Sequence, residues 1–358
     1  MRKLLYIYIL LVYISSPLIA QDILLTNSPV YLNVSFEIPE DLLSTKTAVI
    51  VEVGSSGLNW KEISNYTQIQ LRRTGIDAVA YFQWKTVFSG FEPQQEISEF
   101  LKTRQVTNII LVRATKVKAE VWLTKFNNSW SVISSGQNAW YFSDSTVSKA
   151  LLPLYQKAAL EQERKNLLIS DVPEYYEGLI FHKRKISKAY PPDVRGFKTG
   201  IALIPSTSKP EEINVNLQRV FETYQDAIMA RNDELKNVIT EKYPFKYEFY
   251  DFGLTMEELR TTKGCNFFLG YVYGRANDIT QMFKLSSGDS KEIITNAVLS
   301  EKPIIRSIPA DRMVFKFYFR NTVTGEIFIG SVWDADVAIN DALRNFIFYM
   351  KRDLKVNP

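Results

Sequence analysis

The last part of the chain, residues 313–350, has a plainer counterpart in residues 119–158. Each stretch contains two short runs of β-branched and aromatic residues separated by polar turn residues. Two such runs predict a β-hairpin, and an amphipathic segment that predicts a helix follows each of them. The runs are 314–319 and 327–332 in the later stretch, and 121–123 and 130–133 in the earlier one. A unit that occurs twice predicts a duplicated domain.

The two amphipathic segments carry apolar residues at the same spacing, namely i, i+4, i+7, i+8 and i+11, which places them on one helix face. We expect the helices to begin at Asp334 and Asp144, because a carboxylate can accept hydrogen bonds from the free amides of a first turn. The apolar residues are Ile339, Leu343, Phe346, Ile347 and Met350 in the later helix, and Val147, Leu151, Leu154, Tyr155 and Ala158 in the earlier one.

Predicted strands and helices alternate upstream of each hairpin. In the first domain, strands at 48–53, 78–82 and 108–112 are separated by a helix capped at Asn59 and by a short helix that contains Ile97. In the second domain, strands at 198–204, 247–252 and 266–273 alternate with helices. Those helices have capping-box starts at Ser208 and Thr255, each with a glutamate three residues later. The order β-α-β-α-β-β-β-α results in both domains.

This order predicts an α/β fold: two tandem, duplicated, layered α/β sandwich domains after a signal peptide. We divide the chain into a signal peptide (residues 1–20), a lead-in segment with one edge strand in 30–36 (21–46), a first α/β domain (47–160), a connector (161–197) and a second α/β domain (198–358). Two adjacent prolines, Pro191 and Pro192, stiffen the end of the connector.

The second domain differs from the first by an insertion, residues 275–312. It contains the polar run 286–290, a predicted helix at 291–299, and two prolines, Pro303 and Pro309. Long excursions from a compact repeat often carry specificity, although a disordered embellishment is the alternative.

The N-terminus has the pattern of a secretory signal peptide. Arg2 and Lys3 precede an apolar run, and small residues lead to Ala20 before the polar Gln21. We expect cleavage after Ala20 and an exported protein, periplasmic or extracellular. An uncleaved anchor is the alternative, because Leu18 is bulky for its position before the cut. No later apolar run is long enough to span a bilayer, so we expect no integral membrane span after cleavage.

The charge balance argues against nucleic acid as a partner. The formal net charge of +4 falls to +2 without residues 1–20, which contain two basic and no acidic residues. The only dense basic tract is 182–185, so neither duplex nucleic acid nor an anionic membrane surface is favoured.

The sequence offers little for catalysis, and we predict that the protein is not an enzyme. It has one histidine, His182, and one cysteine, Cys265, which we expect to be a buried thiol. The run 53–57 follows a strand and precedes a helix, but it lacks the P-loop and dinucleotide-binding patterns. Carboxylates such as Glu257 and Glu258 fall at helix starts, where capping explains them. We therefore predict no catalytic residue, no cofactor and no metal ligand.

Aromatic residues are the remaining candidates for binding. Trp84, Phe88 and Phe91 crowd the segment after the second predicted strand, and we expect Phe88 and Phe91, which flank Ser89 and Gly90, to be the most exposed. Exposed aromatic side chains are common anchors for protein partners. We name these three residues as the predicted partner-binding site.

The function that these features favour is a non-catalytic exported binding or assembly component of a cell envelope, with another envelope protein as its partner. One alternative is a small-ligand-binding protein with a cleft between its domains and a hinge in the connector. A second alternative is a hydrolase that uses carboxylates alone, which requires two acidic side chains facing each other in a pocket.

Overall fold

The computed structural model describes residues 32–35, 37–54, 57–134, 136–161, 164–166, 168–177, 181, 184–204, 215–285 and 291–356. The predicted signal peptide, His182, the Ser208 capping box and the polar run 286–290 lie outside the described residues. The described part of the chain is mixed α/β, which confirms the predicted class.

Residues 32–161, here called the first half, form one six-stranded sheet with helices on both faces. The sheet order is β1-β6-β5-β4-β2-β3. The strands are β1 Asn33–Ser35, β2 Lys46–Glu52, β3 Asp77–Gln83, β4 Val106–Ala114, β5 Ala119–Lys125 and β6 Asn138–Asp144. The helices are α1 Trp60–Thr74, α2 Trp84–Val87, α3 Phe91–Thr103 and α4 Val147–Glu161.

Residues 184–356, the second half, form another six-stranded sheet, in the order β7-β14-β13-β10-β8-β9, and a separate two-stranded sheet of β11 and β12. The strands are β7 Ile186–Ser187, β8 Lys198–Leu203, β9 Tyr247–Asp251, β10 Cys265–Arg275, β11 Glu292–Leu299, β12 Lys302–Pro309, β13 Met313–Asn321 and β14 Ile327–Phe328. The helices are α5 Val215–Lys242, α6 Met256–Lys263, α7 Ala276–Met282 and α8 Ile339–Asp353.

The two six-stranded sheets have the same strand directions as well as the same order. Each sheet has three parallel strands, which are β4, β2 and β3 in the first and β10, β8 and β9 in the second. Two antiparallel strands follow, β5 and β6 or β13 and β14. A short strand, β1 or β7, lies at the far edge and is parallel to its neighbour. Alternate residues of β2 supply two cores: Val49 and Val51 pack under α1 and α4, whereas Ala48 and Ile50 pack under α2 and α3. The first sheet is therefore the middle layer of three.

Local signals set several boundaries as predicted. Asn59 caps α1, and its side chain accepts a hydrogen bond from the Lys61 amide. Thr255 and Glu258 form the predicted capping box of α6. Cys265 is buried, as expected.

Three predicted elements were wrong. Residues 291–299 are strand rather than helix, because β-branched residues fill this stretch and a tight turn at Ser300 and Glu301, with φ angles of 48° and 61°, folds β12 back onto β11. Residues 130–133 do not form the second strand of the first hairpin, since Ser131 bonds the Ile133 carbonyl locally and β6 begins at Asn138. The predicted strand at 327–332 ends at Phe328.

The helix starts were also displaced. α4 begins at Val147, because Asp144 ends β6 and its carboxylate accepts from Ser145 instead. α8 begins at Ile339, because Asp334 is buried in an ion pair. Tyr155, which we placed on the buried face of α4, is 41% exposed, and Ile69 of α1 is 45% exposed.

The connector is joined to both sheets. Residues 174–176 pair with Tyr81 at the free edge of β3, where the Tyr81 amide donates to the Glu174 carbonyl and the Tyr176 amide donates to the Tyr81 carbonyl. Further along the connector, β7 is an edge strand of the second sheet, parallel to β14. The connector therefore extends one sheet and completes the other, and these backbone bonds oppose a hinge motion there.

The apolar face of α8 provides a direct test of the second core. Leu343 is 1% exposed and lies among Phe346, Phe319 and other residues of that core, which confirms its predicted burial. We expect Leu343→Ala to lower the free energy of unfolding by about 2–5 kcal/mol, because it removes buried methyl groups and leaves a cavity. Urea denaturation measures the loss, and Leu152→Ala, at a half-exposed position of α4, is the control. An unchanged midpoint for Leu343→Ala would contradict the burial of this helix face.

Candidate functional site

Helix α3 belongs to the first half but also contacts the second sheet. Its residues Ile97 and Leu101 pack under the first sheet. Near its start, Phe91 contacts Phe252 and Tyr271 of the second half, with ring centroids 5.4 and 6.1 Å apart. The Gln95 side chain donates a hydrogen bond to the Leu254 carbonyl at 3.1 Å. The helix thus lies between the two sheets and joins the halves.

A network of buried charges strengthens this junction. Glu92, in the first turn of α3, is 2% exposed. One of its carboxylate oxygens accepts from the Arg320 guanidinium and the other accepts from the Tyr318 hydroxyl. Glu96, one turn later, accepts from Arg320 at 2.9 Å and also from Arg184 of the connector. Both carboxylates therefore have cationic partners from the other side of the junction.

The backbone just before α3 lies close to strand β10 of the second half. The Tyr273 amide donates to the Ser89 carbonyl at 2.7 Å. A Cβ atom on Gly90 would lie 2.8 Å from the Tyr271 carbonyl oxygen, closer than real Cβ contacts, so this position requires glycine. The turn at Ser89 and Gly90 is therefore part of the junction rather than a surface loop.

The prediction that Phe88 and Phe91 are exposed was wrong, and Trp84 is buried as well. Trp84 and Phe88 are 8% and 3% exposed, and their rings pack against each other with centroids 4.3 Å apart. Phe91 is partly buried between the halves and also contacts Trp130. These residues pack inside because the second half covers the surface that a single domain would leave open. Their predicted role in binding a separate partner stays a prediction.

Trp84 and Phe88 do line a groove between the halves, here called the junction groove. Its volume is about 230 Å³. The first half contributes the ends of β2 and β3, and the second half contributes the end of β10 with α7 and the start of β13. The polar and charged side chains in its wall are Glu52, Gln83, Lys85, Arg275 and Asp278.

Ion pairs occupy most of the charged groups in this wall. Lys85 and Asp278 form a bridge of 2.7 Å across the groove, and Glu52 binds Arg113 at 2.5 Å behind it. Arg275 is exposed, and no carboxylate of the described chain lies within ion-pair distance of it. Arg275 is therefore the charged residue of the groove wall that has no ion-pair partner among the described residues.

A second, larger groove lies within the second half. It has a volume of about 940 Å³ and runs between the end of α5, the turn joining β11 to β12, and α8. Lys242 at its rim pairs with Glu301 of that turn at 2.8 Å. Its charged residues have both signs, so its electrostatics favour no particular ligand.

A second buried ion pair lies within the second half. Lys316 of β13 and Asp334 are almost fully buried and lie 2.8 Å apart. The Lys316 ammonium also donates to the carbonyls of Phe317 and Ile329, at 2.8 and 2.7 Å. Burial lowers the pKa of Lys316 and raises that of Asp334, against their mutual attraction.

Sequence reasoning missed both buried networks. One signal was present: Lys316 and Arg320 interrupt the otherwise apolar run of β13, and a charged residue inside a buried strand needs a partner. The partner of Arg320 lies more than two hundred residues away along the chain, so nothing local identifies it.

The described residues offer limited means for catalysis. They contain no cluster of three or more His, Cys, Asp or Glu side chains that would hold a metal ion. Glu258 caps α6, and burial raises the pKa of the Cys265 thiol, which disfavours the reactive thiolate. Glu52 and Asp278, the acidic residues of the junction groove, are both held in ion pairs.

No helix within the described residues is both long enough and apolar enough to cross a membrane. No protein-family model matches the chain, and no curated protein shows significant sequence similarity to it.

The charge of Glu96 makes the junction sensitive to pH. Burial raises the pKa of Glu96 to about 7 from its ordinary 4.5, although Arg184 opposes the shift. Between pH 4.5 and about 7, Glu96 keeps its proton in the folded chain but loses it in the unfolded chain. The free energy of unfolding is therefore highest at the acidic end of this range and falls as the pH rises to about 7. We expect Glu96 to contribute a loss on the order of 2 kcal/mol across this window.

Glu96→Gln is the variant that tests this dependence, because it removes the titration and keeps the side-chain shape. Urea unfolding of both proteins from pH 4.5 to 8 should show a smaller decline for the variant. Glu99→Gln, on the exposed side of the same helix, should follow the parent curve. If the parent instead becomes more stable than Glu96→Gln as the pH rises, the Glu96 carboxylate is ionised and stabilised by its arginines. That result would contradict this expectation.

Proposed function

We propose that the chain is a non-catalytic binding or assembly component of a cell envelope, exported and built from two copies of one α/β domain. The observation that carries this proposal is the junction between the halves. Buried charges on α3, close backbone contact and a connector paired with both sheets join the two halves, which favours a rigid arrangement of them. A rigid body of this kind suits a protein that presents fixed surfaces to partners.

The equivalent strand orders support a duplication. Identical order and direction over six strands include the short parallel strand at the far edge, which the fold class does not require. The β11–β12 hairpin with α7 is then an addition to the second copy. Because the second half differs from the first by one long insertion, we favour a scaffold protein in which the second half has become specialised.

The outer helices of the first half supply a surface for a partner. α1 and α4 pack side by side on one face of the first sheet. Their outward positions include Tyr66, Ile69, Leu152 and Tyr155, all more than two-fifths exposed. Tyrosines and aliphatic side chains on an exposed helical layer are typical anchors of protein interfaces. The partner we propose is another protein of the same envelope.

The two alternative functions have less support. A cleft that opens at the connector would break the backbone pairing at Tyr81 and the cross-junction bonds of Glu92. A hydrolase using carboxylates needs two facing acidic groups in a pocket, whereas Glu52 and Asp278 are each neutralised by a basic neighbour.

Site-specific photocrosslinking in the native cells tests the partner surface. A photoreactive phenylalanine analogue would replace Tyr66 or Tyr155 on the outer helices and, as a control, Val117, which is 80% exposed in the turn after β4. We expect one discrete crosslinked protein from the helix positions and none from the turn. Labelling at all three positions alike, or at none of them, would contradict an assembly role for this surface.

Cell fractionation tests export separately. We expect the protein in the envelope or outside the cell, with a mature chain that begins at Gln21. A full-length chain in the cytoplasm would refute the proposed location. The crosslinking experiment would still test the partner surface by itself.

A further inference from the structure

The junction groove lies at the carboxyl ends of β2 and β3, beside the position where ligands bind in parallel α/β sheets. Strand β2 is followed in sequence by β3, which pairs on one side of it, and the chain then returns to form β4 on the other side. The direction of strand order reverses at β2, and ligands of open α/β sheets bind outside the carboxyl ends of the strands at such a point. The groove wall contains Glu52 and Gly54 at the end of β2 and Gln83 at the end of β3.

Contacts within the chain shape the groove. The Lys85–Asp278 ion pair and the hydrogen bond from the Tyr273 amide to the Ser89 carbonyl hold its two sides together. Its volume of about 230 Å³ lies a little below the range of roughly 300–1,000 Å³ usual for ligand sites. An occupant is therefore small, with a size near that of a single sugar ring or amino acid.

The charge and polarity of the wall define the class of ligand. Arg275 is the lining cation without an ion-pair partner in the described chain, so one negative charge is needed to balance it. A guanidinium binds a carboxylate through two parallel hydrogen bonds, and a nearby apolar wall strengthens the attraction. A phosphate group carries about two charges at neutral pH, more than this wall balances. The apolar part of the wall is formed by Val51, Val53, Trp84, Phe88 and Met313.

We propose that the junction groove binds a small organic carboxylate, with the carboxylate paired to Arg275 and an apolar body against Trp84 and Met313. This site does not depend on the proposed assembly function, since its walls belong to the chain itself. Binding at the groove would also add stability to the junction, because the ligand contacts both halves.

Titration of the mature protein with a panel of small carboxylates tests the proposal. Butyrate, hexanoate, benzoate and phenylacetate are the probes, phenylacetamide is the uncharged counterpart, and inorganic phosphate is the alternative anion. We expect at least one carboxylate to bind by NMR shift perturbation or calorimetry, and its amide and phosphate to bind at least tenfold more weakly. Failure of all four carboxylates to bind at 10 mM would overturn the proposal.

Variants locate the site. Arg275→Gln should weaken the best carboxylate at least tenfold, and Arg275→Lys should retain part of the affinity. Arg260→Gln, at an exposed position of α6 away from the groove, is the matched control and should bind as the parent does. Circular dichroism and urea unfolding confirm that the variants are folded. Equal binding by the parent and Arg275→Gln would show that the carboxylate binds elsewhere and would overturn the assignment.

Discussion

Arg320→Met should lower the free energy of unfolding by about 3–5 kcal/mol, because it leaves the buried carboxylate of Glu92 without a cation. Arg320 is the common partner of Glu92 and Glu96. Burial lowers the pKa of Arg320 to about 10, so the guanidinium is still charged at neutral pH. Methionine fills a similar volume, and the loss therefore reports the charge rather than a cavity. Urea denaturation followed by circular dichroism gives the value.

Two further variants separate this effect from ordinary ion-pair loss. Arg344→Met, at an exposed position of α8 near Asp341, should cost less than about 1 kcal/mol, as exposed pairs usually do. Adding Glu92→Gln to Arg320→Met should recover part of the loss, because glutamine still accepts from the Tyr318 hydroxyl without carrying charge. A loss below about 1 kcal/mol for Arg320→Met would show that the junction does not depend on these charges. Two separate unfolding transitions would show that the halves had become independent.

Lys316→Met should cost about as much, again about 3–5 kcal/mol, because Asp334 then remains buried without its cation. The substitution also leaves the Phe317 and Ile329 carbonyls without their ammonium donor. Burial moves the pKa of each partner toward its neutral form, so desolvation outweighs attraction in this pair. The pair therefore adds little net stability, although breaking it is costly.

A double-mutant cycle distinguishes these two statements. Lys316→Met combined with Asp334→Asn should be more stable than Lys316→Met alone, since no unpaired charge remains in the core. Lys149→Met, at an exposed position of α4, is the control for loss of a lysine. If the double variant loses the sum of the two single losses, the residues do not interact and the ion pair is not the cause.

Local chemistry explains which parts of the fold the sequence predicts. The Asn59 cap, the Thr255 capping box and the buried face around Leu343 depend on residues within a few positions of one another. Asp334 has the same local appearance as a helix cap, but its partner is on β13, so the helix starts five residues later. Residues 291–299 were predicted as helix because the turn that pairs them with β12 follows the stretch itself.

The candidate site was less predictable than the fold. Phe88 and Phe91 flank a serine and a glycine, a pattern typical of surface turns, yet this turn is covered by the second half. The junction groove combines the end of β2 with Arg275 and Asp278, which lie more than two hundred positions later. Such a site depends on how the two halves of the chain pack together, and the sequence pattern of neither half specifies that packing.

The contacts that join α3 to β13 affect how the protein folds during synthesis. The hydrogen bonds from Tyr318 and Arg320 to Glu92 span 226 and 228 residues, so they form only after most of the chain has left the ribosome. Until then, the acidic turn of α3 and the ring of Phe91 are exposed to water in the newly made first half. Contacts of such sequence separation slow folding, and partly folded chains with exposed apolar surface tend to aggregate. We therefore expect the first half alone to be prone to aggregation until the second half has docked.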